Sequence, residues 1–81
     1  MNTEQRRYLE RRLIEAEMYV SKADQLVERQ RAMVEDLRRQ RHDTAAAQRL
    51  LAQMEVSRRL HVDGLDRLLQ ERNGADGAFR A

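Results

Sequence analysis

The chain contains two imidazoles, His42 and His61, and no thiol. Nineteen residues separate the histidines, so on or beside one helix they stand about 28 Å apart, too far to share a metal ion. Neither a His-Glu-x-x-His nor a Glu-x-x-His pair occurs, so the zinc-protease and di-iron bundle patterns are both missing. Carboxylates are plentiful at Glu10, Glu15, Glu17, Asp24 and Glu28, but they alternate with arginines as on a solvated helix face. Glu35 to Arg39, Glu55 to Arg59 and Asp63 to Arg67 stand in the favourable i, i+4 order, worth roughly 0.2–0.5 kcal/mol each to a helix. Ser21 and Ser57 are expected to lack a neighbouring histidine base, and no glycine-rich phosphate loop is present. The sequence therefore points away from an enzyme. No catalytic residue, metal ligand or cofactor site is expected.

Arginine is the remaining reactive chemistry. All the basic residues except Lys22 are arginine, and they gather at two places. Arg6, Arg7, Arg11 and Arg12 stand near the start, and Arg38, Arg39 and Arg41 precede His42. Guanidinium groups suit phosphate oxygens, and in a dimer the clusters would double into a stripe that could track a nucleic-acid backbone. Arg38, Arg39 and Arg41 are the candidate contacts in that reading. Glu4, Glu10, Asp36 and Asp43 dilute both clusters, the net charge is only +2, and aromatic residues make up 4% of the chain, leaving no stacking platform for bases. Nucleic acid is thus the rival partner rather than the leading one. No run of 18 apolar residues exists, and charges of both signs share the polar face, so no membrane partner is expected. Residues 1–7 lack an apolar stretch behind them of the kind a signal peptide uses, which favours a cytoplasmic, bacterial protein.

The elements that carry these residues follow from composition and period. Charged residues are 37% of the 81 and apolar ones 41%, proline is absent, and the three glycines fall at position 64 or later. That is the composition of long helices. Asn2 with Gln5 has the spacing of a capping box, and nothing interrupts a helix from there to about residue 40. In heptads, one position reads Leu13, Val20, Val27, Val34 and another Leu9, Ala16, Ala23, Gln30, Leu37, a coiled-coil-like seam. Tyr19, Leu26 and Met33 widen it to three positions in seven, as in a helical bundle. Beyond residue 44 that register would place Thr44, Gln48, Glu55 and Arg58 on the seam. A shift of one residue instead recovers Ala47, Leu50, Leu51, Met54, His61, Leu65 and Leu68.

The phase break predicts a turn at 41–43, with Asp43 or Thr44 capping a second helix over 44–72 and Arg41 or His42 taking the place usually given to glycine. One long kinked helix is the alternative. Asn73-Gly74 reads as the stop, and 73–81 as a flexible tail with Phe79 as a lone apolar anchor. The expected fold class is all-α, a two-helix antiparallel hairpin. The first helix would overhang the second and leave Tyr8, Leu9 and Leu13 without a partner in the same chain.

Two helices cover only one side of stripes this wide, and each large apolar side chain left in water forfeits about 1.5–3 kcal/mol. A homodimer closing a four-helix bundle is the expected remedy. Leu13, Val20, Val27, Val34 and Leu37 with Leu51, Met54, Leu65 and Leu68 are its expected core and interface. The function this implies is a non-enzymatic interaction or scaffold module, with a larger protein partner for the surface left over. Among polar residues inside the stripes, Gln30 either fixes register or lies at a wet edge. Arg58 would reach water along its own stem, and His61 falls near the level of Asp24. Gly64, costing a helix about 1 kcal/mol relative to alanine, is either a close crossing with a partner helix or merely tolerated.

Gln30, Met33, Val34 and Leu37, then His42-Asp43-Thr44, the pair Leu50-Leu51, His61, and Asp66-Arg67-Leu68-Leu69 form a recurring pattern. On these residues the stretch 26–70 resembles a group of short alphaproteobacterial helical-hairpin proteins with a His-Asp-Thr turn. Arg41 stands where that group commonly has glycine. The resemblance implies a hairpin and carries no activity with it.

Overall fold

The computed structural model describes residues 1–77, which form two helices, α1 (Thr3–Arg39) and α2 (Ala45–Gly77), folded back on one another as an antiparallel hairpin of about 61 × 19 × 14 Å. The kinked single helix is therefore excluded. No helix among the described residues is long and apolar enough to cross a membrane.

Local chemistry sets each end. Asn2 Oδ1 accepts the Gln5 N–H at 2.8 Å, and Gln5 Oε1 accepts the Asn2 N–H at 3.1 Å, a complete capping box. At the other end Gln40 caps α1, and Arg41 turns the chain with φ 60°. The Arg41 N–H donates to Arg38 O at 3.0 Å and the His42 N–H to Leu37 O at 2.9 Å, the paired bonds of a Schellman ending. Asp43 Oδ1 accepts the Ala45 N–H at 2.9 Å, and Thr44 O accepts from Gln48 N at 2.8 Å to open α2. The turn is thus closed by hydrogen bonds, with an arginine holding a left-handed backbone.

Two expectations about length are corrected. α2 does not stop at Arg72. It passes through Asn73 and Gly74, because Gly74 keeps a negative φ, where an αL glycine stop needs a positive one. At 1.5 Å per residue α1 is about 55 Å long and α2 about 50 Å, so the expected overhang disappears. Leu9 and Leu13 are accordingly buried, and Glu71, Arg72 and Asn73 flank Leu9. Tyr8 remains exposed. The segment of the expected tail over 73–77 is helix, and Phe79 lies outside the described residues.

Leu9, Leu13, Ala23, Val27, Gln30 and Val34 line the buried face of α1 at heptad spacing. Val20 and Leu37 on α1, and Leu51, Met54, Leu65 and Leu68 on α2, are half-buried. Among the described residues, every buried side chain belongs to α1. The face that α2 contributes is covered on one flank only.

Candidate interaction surface

The two long edges of the hairpin differ in chemistry. On one, Arg58 Nε donates to Asp24 Oδ1, and Arg31 Nη2 reaches Glu55 Oε1 at 3.3 Å while its other terminal nitrogen lies 3.9 Å from Glu28. Arg31, Glu35 and Arg38 of α1 face Gln48, Ala52 and Glu55 of α2 there, so this edge is polar and tied across the helices. The hydrogen bond to Asp24, and after it the Asp24 charge, push the Arg58 guanidinium up from its ordinary value. Arg58, expected to reach water, is about half exposed and at the same time engages a carboxylate. His61 was expected near Asp24. That acid is engaged by Arg58, and His61 lies against Tyr19 with ring centroids 5.5 Å apart and planes 17° from parallel.

The opposite edge is apolar. Tyr19, Leu26 and Met33 follow at seven-residue intervals on α1, and Leu50 and Leu60 stand on the same side of α2. All five are exposed, Leu60 by 64%. Tyr19 sits in an open groove with Ala16, Leu60, His61, Gly64, Leu65 and Leu68, which Arg12, Glu15 and Arg67 also line. A methyl group built at Gly64 would meet nothing within 4 Å. Gly64 therefore answers no steric demand within the described chain.

Gln30 is buried, and its Nε2 donates to the Ala47 carbonyl at 3.0 Å. A side-chain amide here joins the two helices at one level, in place of the wet edge that sequence also allowed. The expectation that Ser57 has no neighbouring histidine is corrected, since His61 follows it by one turn on α2, but that ring is stacked on Tyr19.

The arginine clusters do not assemble into one surface. Arg38 Nη1 pairs with Glu35 Oε1 at 2.5 Å, and Arg39 pairs with Asp36. Arg41, in the turn, has no ion-pair partner among the described residues. Arg12 donates to the Tyr8 hydroxyl at 2.9 Å, which holds its guanidinium above the ordinary value, and its charge lies 5.8 Å from that ring. At 100° per residue, Arg6, Arg7, Arg11 and Arg12 spread around α1 instead of lining one face. About 48 Å of helix separates Arg7 from Arg39. No cluster of three or more potential metal ligands occurs among the described residues. Comparison with protein-family models, curated proteins and solved structures finds no match to this chain.

Proposed function

We propose that the chain is a non-enzymatic helical interaction module that self-associates, two hairpins pairing as a homodimer to complete a four-helix bundle. The observation that carries this reading is uncovered surface. The hairpin exposes 6636 Å², where a folded monomer of its 9.6 kDa would expose about 5100 Å². Large apolar side chains such as Ile14, Met18, Tyr19 and Leu60 are among what is exposed, each forfeiting about 1.5–3 kcal/mol in water. Half of a standard interface, roughly 800 Å² per partner, would remove about half of the excess. A scaffold role toward a larger protein would use the surface that remains.

The test is molar mass by light scattering behind a sizing column, at low and high salt, with absorbance at 260 and 280 nm. Without tryptophan the protein absorbs weakly, so bound nucleic acid would dominate the ratio. A clean dimer at both salts supports the reading. A nucleic-acid-laden peak that salt strips would transfer it to phosphate binding through Arg38, Arg39 and Arg41, since such contacts weaken steeply with salt.

A further inference from the structure

Self-association leaves open which face a second copy covers, and the two edges give different answers. The edge of Asp24, Arg31, Glu55 and Arg58 has spent its charges within the chain. We propose that the second copy docks on the other edge, over Tyr19, Leu26, Met33, Leu50 and Leu60, and crosses α2 at Gly64, where one of its side chains fills the space left by the missing Cβ. This rests on the self-association reading and specifies its geometry.

Three observations converge on that edge. The first is area. From Tyr8 to Met33 the apolar edge runs about 38 Å at helical rise. With the hairpin's 19 Å width that is on the order of 700 Å², close to the roughly 800 Å² each partner buries in a stable pair. The second is charge. Glu15, Lys22 and Arg29 border the apolar line at seven-residue intervals and carry both signs. A strongly acidic or basic partner would meet one sign wrongly throughout. A second copy laid antiparallel about Lys22 sets Glu15 level with Arg29 of that copy and Arg29 level with its Glu15, two attractive pairs against one facing pair of Lys22 side chains. The third is Gly64. Glycine inside a helix weakens it, and nothing in the described chain requires one here. Ala16, Tyr19, Leu60 and Leu68 flank the gap, which is open on its outer side and rimmed by Arg12, Glu15 and Arg67.

Gly64 then gives a test in which two effects have opposite signs. Gly64→Ala and Gly64→Leu meet open space in the lone hairpin, so both should raise the unfolding midpoint measured at concentrations where the chain is monomeric. In the pair they fill the crossing, so Gly64→Leu should raise the dimer dissociation constant in sedimentation equilibrium at least tenfold, with Gly64→Ala between it and the parent chain. Ala52→Leu, which adds three carbons on the ion-paired edge against the four of Gly64→Leu, should leave the constant unchanged. A parent chain that dimerises with a constant indifferent to Gly64→Leu, or as sensitive to Ala52→Leu, overturns the crossing while leaving self-association standing. A parent chain monomeric at every concentration overturns both.

Discussion

Arg41 holds the hairpin closed at a backbone angle where a Cβ crowds the following carbonyl, a conformation costing a non-glycine residue about 1–2 kcal/mol. Its side chain makes no described ion pair that would offset the cost. Arg41→Gly should therefore stabilise the chain by about 1 kcal/mol, less any entropy the glycine adds to the unfolded state. For a domain of this size that is roughly 4–8 °C in Tm by calorimetry, and a lowered Tm would show that the Arg41 side chain stabilises the turn. Gln30 is the second residue with an individual role. Its amide joins the helices through the Ala47 carbonyl, which, as a helical carbonyl, also accepts within α2. Replacing it by leucine removes donor and acceptor together and leaves no orphan at Ala47. Gln30→Leu should thus hold stability within about 1 kcal/mol of the parent in urea unfolding. A loss beyond about 2 kcal/mol would mean the amide supplies packing or register that an alkyl chain cannot. From sequence Gln30 was legible only as a polar residue on a seam, because the carbonyl it meets depends on how the helices slide.

At the scale of the elements, the turn was legible because the heptad phase breaks at 40–44 and Asp43 and Thr44 offer caps. The end of α2 was misread. Asn-Gly is a stop only when the glycine takes a positive φ, and nothing local forces that on Gly74 while the helix beneath it has Leu9 to cover. Leu13 is only 4% exposed, so it is covered within its own chain. Leu13→Ala should cost about 2–4 kcal/mol in urea unfolding even at concentrations where the chain is monomeric. Ile14→Ala, one residue away and exposed, should cost under about 0.5 kcal/mol. If Leu13→Ala were equally mild in the monomer, the lower half of α2 would not be docked. Cross-helix pairs were the least legible feature. Asp24 meets Arg58 rather than His61 because Arg58 lies on the same edge while His61 turns to the other one beside Tyr19, and heptad spacing fixes each stripe without showing which edge a flanking side chain takes. The ion pair joins two half-exposed side chains, so Asp24→Ala should cost less than about 1 kcal/mol, and less still in high salt.

For the whole molecule, the sequence showed stripes too wide for two helices, and the structure shows where the excess width lies. One edge is tied by ions across the hairpin and the other carries Tyr19, Leu26, Met33, Leu50 and Leu60 in water. That difference was not readable from heptads alone, since it needs both helices in register before the sides can be compared. The proposed self-association through the apolar edge should weaken only modestly with salt, since its charged contacts are exposed Glu15–Arg29 pairs at the border. Its most direct test is molar mass by sedimentation equilibrium for the parent chain, Leu60→Glu and Ala52→Glu. Both substitutions introduce the same charge at exposed positions, on opposite edges. The account predicts twice the 9.6 kDa chain mass for the parent and for Ala52→Glu, and the single-chain mass for Leu60→Glu. A monomeric parent, or a Leu60→Glu chain as dimeric as Ala52→Glu, would contradict it.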